Sequence, residues 1–227
     1  LVVGARGTEG EAGPRAGAAY ILFLTTKAGS GVEPTMWNEY VRISNQTSTG
    51  PLEISMPLDA EAQFGRSVAV LGDTDRDLVS TLAVGAPGEA NDAGGVHILS
   101  VQLRRQGTAV IAAELLTTRR LSAASPVADE NFGYSVAWMP GVTSGDFARL
   151  AVGAPGVAQA GLPGSVYVMD ALGGGVLSTI TSPQPVANAL FGTSVALAPD
   201  YDGNGVRELL VGAPGEPEGG ATYLLYM

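Results

Sequence analysis

The sequence contains no cysteine and a single histidine, His97. Disulfides and thiolate metal sites are therefore excluded, as is any mechanism that needs two imidazoles from this chain. The absence of cysteine does not by itself fix a compartment. Long apolar runs are also missing. The longest, Ala18 to Leu24, is strand-sized and far short of the roughly 18–20 residues a membrane helix needs. Positive charge is scarce, with 12 Lys and Arg against 22 Asp and Glu and a net charge of −10. That balance argues against a nucleic-acid partner, because phosphate binding needs clustered cations. The small basic cluster of Arg104-Arg105 and Arg119-Arg120 reads as solvated strand ends. No stretch has a helical period, and no nucleophile elbow, zinc-protease motif or phosphate loop is present. Gly173-Gly174-Gly175 is followed by neither Lys nor a helix and reads as a turn. His97, in Gly-Val-His-Ile-Leu, reads as a structural or solvent-facing strand residue.

What the chain does have is apolar content of 45% with only 15% charged residues, which opposes general disorder. It also has 32 Gly and 14 Pro, enough to punctuate many short strands. It begins at Leu1, without Met and inside a strand pattern, as expected of a processed or partial chain.

An internal repeat organises these residues. Phe64-Gly65-Arg66-Ser67-Val68-Ala69 leads to Leu82-Ala83-Val84-Gly85-Ala86-Pro87. Phe132-Gly133-Tyr134-Ser135-Val136-Ala137 leads to Leu150-Ala151-Val152-Gly153-Ala154-Pro155. Phe191-Gly192-Thr193-Ser194-Val195-Ala196 leads to Leu209-Leu210-Val211-Gly212-Ala213-Pro214. In all three the second glycine lies 21 residues after the Phe. Leu1 to Gly7 repeats the second half, with Arg6 in place of Pro. Third strands are expected at Ala16 to Leu24, Gly95 to Leu103, Gly164 to Asp170 and Gly220 to Met227. Fourth strands are expected at Val110 to Leu116 and Gly175 to Thr181. In the first unit the fourth strand falls at either Tyr40 to Ile43 or Leu52 to Ser55, and Trp37 sits in a core or on a loop. Four strands per unit, with Phe-Gly copies 59 to 68 residues apart, describe propeller blades. Phe is large enough to fill the wedge between blades, and the glycine after it lets backbone pass close by.

These motifs resemble the FG-GAP repeat family, the blades of integrin alpha-subunit heads. The resemblance covers nearly the whole chain and implies an all-β propeller, commonly of seven blades. About three and a half blades are present: 1–63 (truncated), 64–131, 132–190, and 191–227 without its closing strand. The expectation is part of a larger ring.

Asp200-Tyr201-Asp202-Gly203-Asn204-Gly205-Val206-Arg207-Glu208 alternates oxygen-bearing side chains with glycine, directly before a strand. Calcium takes six to eight hard oxygens in flexible geometry. Asp200, Asp202, Asn204 and Glu208 supply side-chain oxygens, and Val206 would supply its carbonyl. An EF-hand is excluded, because the twelfth position is Val211 and a strand follows. Two readings remain, a calcium loop and a metal-free Asp/Asn/Gly turn. Magnesium fits less well because it gives up its waters reluctantly. The family's calcium loops lie at this place before the Gly-Ala-Pro strand, with Asp where this chain has Glu208. The equivalent loop with Asp73, Asp75 and Asp77 has Leu78 for glycine and Thr81 at the ninth position, a weaker second site. The loop from Gly141 to Arg149 lacks the ligands. Asn45-Gln46-Thr47 is the one glycosylation sequon.

A cation here would be structural. The function the resemblance implies is a non-enzymatic extracellular or cell-surface adhesion module. It would present the loops Gly88 to Gly94, Gly156 to Pro163 and Gly215 to Gly219 to a protein or glycan. Their polar side chains are Glu89, Asn91, Asp92, Gln159, Glu216 and Glu218. The alternatives are a building block of a surface filament or sheath, self-assembling or bound to a stalk protein, and a propeller appended to a hydrolase.

Overall fold

The computed structural model describes residues 1–9, 13–26, 34–47, 50, 52–72, 79–107, 109–140, 148–156 and 161–227, with backbone alone for 24–26 and 34–38. The fold is all-β. The first sheet comprises β1 (Val2–Ala5), β2 (Ala18–Thr26), β3 (Pro34–Ser44) and β4 (Glu53–Ser55), in that order. The second comprises β5 (Ser67–Gly72), β6 (Val79–Ala86), β7 (Gly95–Gln106) and β8 (Ala109–Leu121). The third holds β9 (Ser135–Met139), β10 (Arg149–Ala154), β11 (Ser165–Asp170) and β12 (Val176–Thr181). The last is β13 (Ser194–Leu197), β14 (Leu209–Ala213) and β15 (Ala221–Leu225). Neighbours pair antiparallel throughout, except that β4 joins β3 in parallel.

Both first-unit alternatives are thus strands. Tyr40 to Ile43 lies in β3, at the fourth-strand position after β1 is counted as a second strand. Glu53 to Ser55 adds beyond it because Ile43 and Ile54 are register partners that bury into one core, at 0% and 6% exposure. The strand expected at Val110 to Leu116 runs on to Leu121. Thr117, Thr118, Arg119 and Arg120 keep pairing with β7, and Leu121 anchors the end in the core. A polar run hides a strand when only backbone pairing demands it.

The sheets stack in chain order, with β5 against β9 and β9 against β13. One apolar core fills each gap. Phe64 sits in the first with Ile43, Leu82 and Val84; Phe132 in the second with Leu150 and Val152; Phe191 in the third with Leu209 and Val211. All three Phe side chains are fully buried. Each meets a ring of its own third strand edge to face: His97, Tyr167 and Tyr223, at centroid distances of 5.6, 5.4 and 5.6 Å. Such contacts favour the aromatic quadrupoles beyond simple burial. Backbone then stitches the sheets together. The N–H of each Phe donates to a carbonyl of the preceding unit, at Ala16, Ala93 and Pro163.

The glycines of Gly-Ala-Pro are required by this approach. A Cβ on Gly4, Gly85 or Gly153 would stand 2.0 Å from the carbonyl oxygen of Gly65, Gly133 or Gly192 in the next unit. The repeat therefore writes the inter-sheet contact directly into the sequence.

Candidate metal centre and loop surfaces

The β13–β14 connection is closed at its base, where the Ala198 N–H donates to the Glu208 carbonyl at 2.9 Å. Between them the chain wraps on its own carboxylates. Asp200 Oδ1 accepts from the Gly203 N–H at 2.7 Å, and Oδ2 accepts from the Gly205 N–H at 2.9 Å. Asp202 Oδ1 accepts from the Asn204 N–H at 3.0 Å. Gly203 and Gly205 have φ of 76° and 88°, the left-handed region that glycine enters without steric cost.

Asp200, Asp202 and Glu208 converge, each offering a carboxylate oxygen within 4.8 Å of the others. The two aspartates are exposed, whereas Glu208 is fully buried. Glu208 Oε1 accepts from the N–H groups of Tyr201 and Asp202 at 3.0 and 3.4 Å. Its Oε2 is buried with no partner among the described residues. An unpaired buried carboxylate oxygen is costly, and a cation is one group that would satisfy it. The donor set is all oxygen, which suits a hard divalent ion.

Asn204 is arranged differently from the aspartates. Its Oδ1 accepts from the Val206 N–H at 2.7 Å, and its Nδ2 donates to Asp202 Oδ2 and to the Met227 carbonyl, at 3.1 and 3.0 Å. Val206 is half-buried. Asp73, Asp75 and Asp77 lie outside the described residues, as do Gln159, the loop 141–147 and the side chain of Trp37, whose backbone is part of β3. Asn45 is 9% exposed with Oδ1 unpartnered, so a glycan there would require the amide to turn out of its packing.

The loop side chains expected to face a ligand divide into two groups. Asn91 and Glu218 are exposed. Glu89 and Glu216 are not. Glu89 turns inward to His97 Nε2 at 2.7 Å and to the Arg120 Nε–H at 2.6 Å, while Arg120 also donates to the Gly94 carbonyl. Burial pushes the Glu89 carboxyl up, but the hydrogen bonds and charges of His97 and Arg120 outweigh it and hold the group below its ordinary range. Glu216 accepts from the Tyr223 hydroxyl at 2.6 Å and from Ser182 at 3.3 Å. That hydrogen bond, with some burial, raises the Tyr223 phenol. The Tyr167 phenol is also raised, by burial and by its bond to Glu130. Asp92 is pushed up by burial and by the charges of Asp129 and Glu61.

The inward glutamates were legible in one signal. His97, Tyr167 and Tyr223 each lie three residues after the glycine that heads the third strand, and Glu89 and Glu216 each lie two residues after the Gly-Ala-Pro proline. Their union in one hydrogen bond is a tertiary fact.

Three four-stranded sheets and one three-stranded sheet stacked in chain order, with a wedge Phe between each pair and an acidic loop joining β13 and β14 of the last, define part of a β-propeller. Residues 191–225 match the family model described as the FG-GAP repeat. Integrin alpha-10 of Homo sapiens is 30% identical over 179 residues, which are 73% of this chain and 14% of that protein. The chain belongs to the FG-GAP repeat family, with blades of the integrin alpha-like kind. It spans a small part of the length of the relative it matches. No described helix is long and apolar enough to cross a membrane.

Proposed function

We propose that this chain is the cation-braced part of an extracellular or cell-surface adhesion propeller, without catalytic activity, whose blade-top loops meet a protein or glycan ligand. The kinship with integrin alpha-10 supports the adhesion class. The observation that carries the cation is Glu208, fully buried with one oxygen unpartnered beside Asp200 and Asp202. Calcium is the ion that best suits these ligands, because three carboxylates on a flexible glycine-rich loop accommodate its irregular shell. Asp200, Asp202 and Glu208 would hold it by side chain, with Asn204 and the Val206 carbonyl completing the protein share. Bound there, the ion neutralises the carboxylates and stiffens the β13–β14 connection. Asp73, Asp75 and Asp77 form the weaker second loop of this reading, and Asn45 its glycosylation position.

Calorimetric titration of the whole chain with calcium tests the cation. The expected result is a saturable site that Asp202→Ala removes, since exposed Asp202 orders little besides Asn204. No saturable heat in the native chain, or unchanged binding in the variant, would reject it.

A further inference from the structure

The repeat supplies its own comparison for each gap between sheets. Tyr167 and Tyr223 hold the place beside the wedge Phe in the last two sheets, and His97 holds it in the second. The imidazole lies as close to its Phe as the phenols do to theirs, but it carries no hydroxyl beyond the ring. Arg120 pairs with His97 across β7 and β8, where Thr179 pairs with Tyr167 across β11 and β12. Asp59 stands five residues before Phe64, where Val127 and Val186 stand before Phe132 and Phe191. The three departures meet in one place. A cleft of about 360 Å3 opens between the first two sheets, with Asp59, Glu89, His97, Thr118 and Arg120 in its wall. In the next gap, where Tyr167 bonds to Glu130, the cleft beside Val127 and Glu130 measures about 90 Å3.

The polar groups of the larger cleft differ in what they still offer. Both Glu89 oxygens are taken, one by His97 and one by Arg120. Arg120 is pinned through Nε to Glu89 and through Nη2 to the Gly94 carbonyl, and its Nη1 has no partner among the described residues. A guanidinium held this way presents N–H donors in a fixed orientation, suited to a planar anion. Thr118 adds an exposed hydroxyl. Asp59 is an exposed acceptor whose carboxylate has no hydrogen-bond partner among the described residues. Met56 and Leu58, 4% and 7% exposed, give the cleft an apolar side.

We infer that this cleft binds a carboxylated sugar, a uronic or sialic acid residue of a glycan. The sugar carboxylate would accept from Arg120 Nη1, ring hydroxyls would donate to Asp59 and bond with Thr118, and the C–H face of the ring would lie on Met56 and Leu58. Arg120 and Asp59 together decide the class. A bare carboxylate, as on an acidic peptide, satisfies Arg120 but meets Asp59 with like charge. A neutral sugar satisfies Asp59 and leaves Arg120 to water. A carboxylate and hydroxyls on one ring satisfy both. The volume falls within the range of small-ligand clefts, about 300–1,000 Å3. The inference rests on the reading of the blade-top loops as a ligand-facing surface and gives the glycan of that reading its chemistry. It does not depend on the cation.

The test is an amide NMR titration of the full 227-residue chain with methyl β-glucuronide and with the methyl α-glycoside of N-acetylneuraminic acid. At least one should give saturable shifts centred on Leu58, Asp59, Thr118 and Arg120. The uncharged methyl ester of that sugar should bind about tenfold more weakly. Asp59→Ala should weaken binding about tenfold as well, through the lost hydroxyl contacts. His97→Tyr, which installs the ring of the other sheets, should fill the cleft and abolish the shifts. Both variants should melt near the native chain, which separates lost binding from lost folding. Absent shifts at millimolar sugar, equal binding of the ester, or shifts that both variants leave unchanged would overturn the proposal. So would equal binding of N-acetylglycine, a carboxylate without hydroxyls, which would assign the cleft to peptides. The adhesion reading is measured apart, by attachment of the chain to a coat of extracellular-matrix proteins. Attachment without sugar shifts would overturn the sugar and leave that reading standing.

Discussion

Glu89 and His97 share a buried hydrogen bond of 2.7 Å, with both side chains less than a tenth exposed. Phe64 closes over the imidazole, and Arg120 closes the other carboxylate oxygen. Tyr223 with Glu216 makes the same join in the last sheet. In the third sheet the position after Pro155-Gly156 is Val157, and the carboxylate comes instead from Glu130, just ahead of the wedge Phe132. The requirement is a carboxylate at the polar tip of the ring that packs on the wedge Phe, and two different chain positions meet it. A buried polar tip without a partner would be costly.

Glu89→Gln should destabilise the chain at neutral pH by about 2 kcal/mol, the scale of hydrogen bonds to charged groups. The sign with pH follows from the lowered folded value. The carboxylate's contribution is fully present above its ordinary value of 4.5 and is lost as pH falls through the lower folded value. Urea unfolding of both proteins at pH 7 and near pH 3.5 checks this. The gap between them should narrow in acid.

Gly153→Ala should cost about 1–3 kcal/mol, the range of overpacking in a close interface, because the new Cβ would lie 2.0 Å from the Gly192 carbonyl. Gly212→Ala meets only the Ser194 side chain, which can rotate away, and should change stability by roughly 0.5 kcal/mol or less. Chemical denaturation of the two single variants compares one substitution at two equivalent repeat positions.

Phe132→Ala should remove about 3–5 kcal/mol. The ring is fully buried in the core between the second and third sheets and touches Tyr167. Thermal unfolding by circular dichroism reads the loss. Near-ultraviolet bands from the nearby Tyr167 and Trp138 should report the same transition.

Calcium at about a hundred times its dissociation constant should stabilise the chain by about 2.7 kcal/mol, raising the melting temperature, and chelator should reverse the rise. Asp202→Ala should abolish the response and leave the cation-free melting temperature nearly unchanged. Glu208→Ala should abolish the response and also lower the cation-free value, since Glu208 holds the N–H groups of Tyr201 and Asp202. Melting curves with calcium and with chelator separate these outcomes.

The blade pattern was legible because its signals are local. Phe-Gly, Gly-Ala-Pro and the 21-residue interval reflect contacts that every blade repeats, so each unit records the same constraint. The first unit's second outer strand, β4, was harder to assign. Its parallel pairing rests on Ile43 meeting Ile54, which no local pattern encodes. At the candidate site the alternation brings Asp200, Asp202 and Glu208 together. Asn204 departs from it, because its amide is drawn to the Met227 carbonyl, a residue distant in sequence.

The sequence alone determined the blades, their order and the acidic loop, since strand period, turn chemistry and repeat spacing are properties of neighbouring residues. Only the tertiary structure decided that Glu89 and Glu216 point inward and that Glu208 is buried with one oxygen unpartnered. Those are matters of which atoms meet once the chain is packed, where burial makes an unmatched polar group costly.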